Sequence, residues 1–145
     1  MPCAEAISKT LLLLAGLAAA ACGGSSRGGA VAPAVADQVD LGEGLFRRRC
    51  APCHGLEGRG GRAPNVIGEG ALSVQPPPGA KTRKEAFPTA AELLAWTQKK
   101  MPPGTADDLK PAEHAAVVAY MLDESGFKLG ARPLDAETAK LIKLR

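Results

Sequence analysis

Three features of this 145-residue sequence predict an all-α fold. No stretch alternates apolar and polar residues as a half-buried strand would. Residues 89–100 open on a capping-box pair, Thr89 and Glu92, and close on Lys99 and Lys100, the polarity that a helix dipole favours. Residues 111–124 carry proline in the first turn, a fully apolar run from Ala115 to Leu122, and Gly126 just past the end.

The amino terminus reads as a leader. Lys9 supplies a weakly basic start, offset by Glu5, and residues 11–21 form an apolar run of eleven. That run is too short to span a bilayer and fits the apolar region of a signal peptide, so residues 1–21 are expected to be removed. It ends in Ala19, Ala20, Ala21, Cys22 and Gly23. The end is similar to a bacterial lipoprotein signal, in which the cysteine becomes acylated, although Ala19 stands where such signals usually have leucine. Cleavage after an Ala-x-Ala pattern, leaving Cys22 free, is the alternative. Acylation of Cys22 by two or more chains would hold the protein on a membrane. Residues 22–36, rich in Gly, Ser, Ala, Pro and Val, read as a flexible tether.

The folded domain is expected over residues 37–126. Asp40 suits the N-cap of a helix running through Leu41, Leu45 and Phe46 to about Arg49. Gly42 and Gly44 each weaken that helix by about 1 kcal/mol relative to alanine, unless a close helix contact uses them.

Cys50, Ala51, Pro52, Cys53 and His54 follow directly. Two thiols three positions apart can add to the two vinyl groups of one haem, and the adjacent imidazole then lies under the iron. This spacing is the attachment signature of a c-type haem. A zinc site would require a second Cys or His pair, and the only other histidine is His114. A thioredoxin-like thiol pair wants a strand before it, whereas Leu45 to Arg49 look helical. Two disulfides among the four cysteines would leave His54 without a role. Covalent haem is therefore expected, with zinc and thiol redox as alternatives. Only 3% of residues are aromatic, and a haem would supply apolar area that a small core otherwise lacks.

Residues 55–70 are glycine-rich and residues 71–88 hold Pro76, Pro77, Pro78 and Pro88, so both stretches are expected as irregular surface loops. The helix over 89–100 contributes Leu93, Leu94, Ala95 and Trp96. Pro102 then drives Met101 out of helical geometry. A thioether is a soft ligand that favours reduced iron, so Met101, in a Met-Pro-Pro-Gly turn, is the expected axial ligand opposite His54. Met121 lies inside an apolar helix, where methionine commonly fills core space. Trp96 has two readings, an indole N–H directed at a haem propionate and a core role. His114, near a helix start, is expected to face solvent. In the tail, residues 127–145, Asp135 is expected to cap a short helix containing Leu141, Ile142 and Leu144.

The run from Asp40 to Gly126 resembles a class I, monohaem cytochrome c domain of the bacterial type. Gly42 and Phe46 stand where that family has a glycine and an aromatic in its first helix. Cys50, Cys53 and His54 match its haem attachment site, and Met101 followed by proline matches its distal ligand. Pro64 stands where the family's proline carbonyl accepts the ring N–H of the proximal histidine. Val117 and Tyr120 match the last-helix residues that cross the first-helix glycine. The resemblance implies a small cytochrome c fold of three to five helices around one haem c. It also implies a single-electron carrier rather than an enzyme.

Charge is uneven. Residues 47–100 hold Arg47, Arg48, Arg49, Arg59, Arg62, Lys81, Arg83, Lys84, Lys99 and Lys100 against four acids, while residues 101–126 hold five acids against Lys110. A redox partner with an acidic docking face is expected. Nucleic acid is not expected for an extracytoplasmic chain so poor in aromatics, nor is a small-molecule substrate. A haem-based sensor and an electron-entry subunit of a larger oxidoreductase are the alternatives to a free carrier. With Lys99 and Lys100 beside Met101, one amine is expected to replace the thioether on ferric iron at alkaline pH. Visible spectra of the ferric protein test this. A red methionine-to-iron charge-transfer band that persists above about pH 10 would exclude the exchange.

Overall fold

The computed structural model describes residues 33–145. The expected signal peptide, Cys3, Cys22 and the tether up to residue 32 lie outside the described residues. Among the described residues there are four α-helices, two 3-10 turns and no strand, apart from one isolated bridge between Thr89 and Lys143. The helices are α1 (Pro33–Arg49), α2 (Ala51–His54), α3 (Ala90–Lys100) and α4 (Pro111–Glu124); the 3-10 turns are Ala106–Asp108 and Thr138–Leu141. The architecture is all-α among the described residues, as the sequence predicts.

Helix α1 starts at Pro33, so Asp40 lies in its interior rather than at its N-cap, and residues 33–36 are helix rather than tether. Burial decides this. Val35 and Val39 are both inaccessible to solvent, and their four-residue spacing extends the apolar stripe of Leu45 and Phe46 backwards by two turns. Proline suits the first helical position, where no intrahelical acceptor is needed.

Helix α4 is buried from His114 to Leu122. Its C-terminus closes as a Schellman motif: Gly126, at φ 76°, donates to the Asp123 carbonyl at 2.9 Å, and Phe127 donates to Leu122 at 3.0 Å. At its other end the Glu113 carboxylate accepts from the Lys110 amide at 2.7 Å.

Helices α1 and α4 cross in direct backbone contact. A Cβ on Gly42 would lie 2.0 Å from the Ala116 carbonyl oxygen and 3.0 Å from Tyr120 Cβ. The closest partner of the glycine is thus the Ala116 backbone, with Tyr120 beside it. One turn along, the rings of Phe46 and Tyr120 meet at 5.5 Å and 53°, an inclined pairing that aromatic quadrupoles favour. Val117 is fully buried in the same crossing.

Helix α3 has the capping box expected of Thr89 and Glu92: the Thr89 hydroxyl accepts from Ala91, and Glu92 accepts from the Thr89 amide at 2.9 Å. The tail is part of the core. Leu134, Ala139 and Leu144 are buried. Gln38 clasps Leu134 from α1, its amide donating to the carbonyl at 2.9 Å and accepting from the amide at 2.6 Å. Ile142 and Pro88 carbonyls accept from Ala90 and Leu144, pinning the tail along the start of α3. The expected helix through Leu141, Ile142 and Leu144 is only a 3-10 turn, Thr138–Leu141, whose N-cap is Glu137. Asp135 stands before it, accepting from the Glu137 and Thr138 amides, and these bonds, Thr138's first, lower its carboxyl pKa.

The two glycines of α1 separate cleanly in consequence. Gly42→Ala is expected to cost about 3 kcal/mol or more, because the atom it strikes is backbone and cannot turn aside. Gly44 meets only the flexible end of Arg48, at 3.3 Å, so Gly44→Ala is expected to stabilise by up to about 1 kcal/mol. Urea unfolding midpoints of the two variants read the contrast.

Candidate haem-binding site

Cys50 continues directly from α1, donating its amide to Phe46 at 2.8 Å. The chain then makes a single turn, with Cys53 and His54 both donating to the Cys50 carbonyl, at 3.1 and 2.9 Å. That turn sets the two thiols three residues apart on adjacent rungs of a helix. Cys50 is half-buried against the core and Cys53 is exposed, and among the described residues neither is in a disulfide.

Gly55 ends the turn at φ 84° and ψ 154°, a region open essentially to glycine alone. The loop that follows folds back over α2. Gly60 donates to His54 at 2.9 Å, Ala63 to Cys53 at 3.0 Å, and the Gly58 carbonyl accepts from Val66 at 2.7 Å. Gly58 has no room for a side chain, since Ile67 Cδ1 lies 2.6 Å from where its Cβ would be. The outcome of this winding is one contact, 2.7 Å between His54 Nδ1 and the Pro64 carbonyl oxygen. A carbonyl can only accept, so Nδ1 carries the proton and Nε2 presents its lone pair. This is the orientation in which a histidine ligates a metal through Nε2 with its other nitrogen tied back. Two thiols on one helical turn and an imidazole held in one tautomer form a donor set that suits covalent haem.

The alternative chemistries lack support here. Burial pushes the Cys50 thiol up to about 11, against an opposing pull from Arg49, whereas a reactive redox thiol needs a lowered pKa. Among the described residues no group of three or more His, Cys, Asp or Glu side chains is placed to hold a metal ion.

Met101 caps α3 in extended geometry, φ −128° and ψ 135°, its amide donating to Thr97 at 2.9 Å. It is half-buried, whereas Met121 is buried in α4. The segment after Met101 is a chain of tight turns: Thr105 donates to Pro102, Asp108 to Thr105 and Leu109 to Ala106, at 3.1, 3.1 and 3.2 Å. Trp96 is half-buried against the core, 5.9 Å from the ring of Phe87.

His114 does not face solvent. It is 2% exposed, because it shares a face of α4 with Val117, Val118 and Met121, three, four and seven residues on. That spacing was readable beforehand, but a single polar residue at a helix start hid it. Its Nε2 lies 3.1 Å from the Ala106 carbonyl, and Nδ1 is buried with no partner. Such an orphan costs about 1–3 kcal/mol.

Residues 71–88 form no helix, yet they are not simply a surface loop, since Leu72 and Phe87 are buried. Arg83 organises them. Its guanidinium donates to the Ser73 carbonyl at 2.8 Å and to Val74, and lies 3.7 Å from the centroid of the Phe87 ring. Burial lowers the Arg83 pKa, partly countered by Glu85.

The basic residues are interleaved with acids. Arg47 pairs with Glu43 and Arg49 with Asp108, each at 2.8 Å, and Arg59 with Glu57 at 3.4 Å. Backbone amides of Lys84 and Glu85 hold the exposed Glu85 carboxyl below its usual range, and the charges of Lys100 and Lys99 act in the same direction. Exposed pairs of this kind stabilise by less than about 1 kcal/mol each.

The family profile described as cytochrome c oxidase, cbb3-type, subunit III matches residues 37–121. The chain belongs to that family. It is a c-type cytochrome domain, of the electron-transfer kind. Among solved structures, this cytochrome domain is similar to the sulfane dehydrogenase SoxCD from Paracoccus pantotrophus, with a TM-score of 0.52 and 23% identity. The match covers 79% of this chain and 60% of that one, so the chain spans less than two thirds of the matched chain's length. At that identity the likeness establishes the fold alone. No curated protein gives a significant match. Among the described residues, no helix of the cytochrome domain is long and apolar enough to cross a membrane.

The loop over α2 depends on Gly55, whose Cβ would lie 2.6 Å from the Gly60 carbonyl oxygen. Gly55→Ala is expected to destabilise by about 2–3 kcal/mol, through backbone strain and that collision. Guanidinium unfolding midpoints test this, and a cost under about 0.5 kcal/mol would show that the loop yields freely.

Proposed function

We propose that this cytochrome domain carries single electrons through one haem c, which Cys50 and Cys53 would attach and whose iron His54 and Met101 would ligate. The observation that carries the reading is the 2.7 Å contact between His54 Nδ1 and the Pro64 carbonyl, next to two thiols on one turn. When bound, the haem supplies a one-electron iron couple. His54 contributes a fixed imidazole whose basicity is raised by the hydrogen bond. Met101 contributes a thioether, which raises the potential. Two strong protein ligands leave no coordination position for a substrate, which favours a carrier over a small-molecule sensor.

The same reading extends to the cell. Residues 1–21 direct export, Cys22 is acylated, and the tether places the domain on the extracytoplasmic face of a membrane; the composition of residues 1–36 supports this. The partner is a redox protein with an acidic docking face. The ion pairs to Glu43, Glu57 and Asp108 reduce the basic surface on offer, so steering is weaker than the count of basic residues suggests. The family description is that of an oxidase subunit, which supports a second reading, an electron-entry subunit of a larger oxidoreductase.

Spectroscopy of protein matured with covalent haem attachment tests the proposal. One haem per chain should resist acid–acetone extraction. Met101→Ala should abolish the methionine charge-transfer band, lower the midpoint potential and admit carbon monoxide to the ferrous protein. Colour lost on extraction, or a Met101→Ala spectrum unchanged from wild type, would refute it. Electron transfer to an acidic partner should slow as ionic strength rises.

A further inference from the structure

We infer that His114 is a positioning residue for the Met101 loop, acting through its hydrogen bond to the Ala106 carbonyl. The inference rests on the reading of Met101 as an axial ligand. Met101 lies five residues before Ala106, and the intervening chain has little freedom. Three successive turn hydrogen bonds, Thr105 to Pro102, Asp108 to Thr105 and Leu109 to Ala106, link it into one unit. The near end of that unit is tied to α3 by the Met101 amide. Its far end needs an equivalent anchor, or the loop would hinge about Pro102.

Two side chains provide that anchor from opposite sides. On the outside, Arg49 reaches from the end of α1 to Asp108 at 2.8 Å. Both groups are substantially exposed, so this brace yields to salt and solvent. On the inside, His114 Nε2 meets the Ala106 carbonyl at 3.1 Å, and the ring is 2% exposed. The carbonyl can only accept, so Nε2 carries the proton. The donor ring is buried and the carbonyl is half-buried, so breaking the bond leaves a second ring nitrogen buried without a partner.

The ring also tolerates a buried, partnerless Nδ1. An apolar side chain would fill this place in α4 without that penalty. An imidazole buried at the head of the apolar run from Ala115 to Leu122 therefore points to the Nε2 contact as the feature in use. His114 touches neither thiol nor Met101 in any hydrogen bond among the described residues; its effect travels through the turns.

His114→Leu removes the donor and the orphaned nitrogen together and keeps an apolar residue in the core. His114→Gln retains an amide N–H. Three readouts are taken on haem-loaded protein well below each thermal midpoint: the ferric methionine charge-transfer band, carbon monoxide binding to the ferrous form, and the thermal midpoint itself. Carbon monoxide enters only when the thioether is displaced, so its rate scales with the open fraction. The Leu variant should lose half or more of the band and bind carbon monoxide roughly ten-fold faster, with Gln restoring most of both. A Leu variant with wild-type band and rate overturns the inference, as does a Gln variant that behaves like Leu. Should the Leu variant not fold, nitrogen NMR of the wild-type ferrous protein decides: protonated Nε2 with a slowly exchanging N–H supports the anchor, and an Nδ1–H tautomer overturns it. Absence of the band in the wild type identifies failure of the ligand assignment itself, and the inference falls with it.

Discussion

The crossing of α1 on α4 is the contact on which the remaining structure depends. It is a backbone contact, made at Gly42 against the Ala116 carbonyl. Only there do the two helices approach closely enough for the Phe46 and Tyr120 rings to pair and for Val117 to be sealed in. Both ends of the candidate site hang from it. The last turn of α1 delivers Cys50, and the first turn of α4 delivers His114. A shift of one helix on the other would therefore move the attachment turn relative to the Met101 loop.

The two halves of the site are built by different means. The thiols and His54 occupy one helical turn, whose geometry is local and survives in any fold that keeps the turn. The Pro64 carbonyl arrives by a glycine-dependent loop that closes on the same turn, through contacts of ten residues or fewer. Met101 has no such local frame. It stands at the end of α3, and the loop after it is fastened to α1 through Arg49 and to α4 through His114. The Cys-His turn is thus a property of its own segment, and the placement of Met101 is a property of the packed domain.

The tail shows the same dependence on packing. The family match ends at residue 121, yet the chain beyond Gly126 supplies three buried aliphatic residues and two hydrogen bonds to Gln38. It covers the start of α3 and the outer side of α1. A small domain with few aromatics gains buried apolar area from this strap, and with it a more rigid mounting for the site.

Helix type, the cap at Thr89, the stop at Gly126 and the single turn of Cys50 to His54 were all decided by residues close in sequence, and so they were legible. Capping, proline geometry and the Cys-x-x-Cys-His spacing act over four residues or fewer. What required the fold were the features set by burial between distant segments. The start of α1 at Pro33 follows from Val35 and Val39 meeting the core. The burial of His114, the ordering of residues 71–88 around Arg83, and the docking of the tail have the same origin. Local chemistry is written in neighbouring residues, because a cap, a proline or a Cys-x-x-Cys-His turn is built from residues within about one helical turn of each other. Burial depends on what the whole chain places opposite a residue, and only tertiary packing decides that.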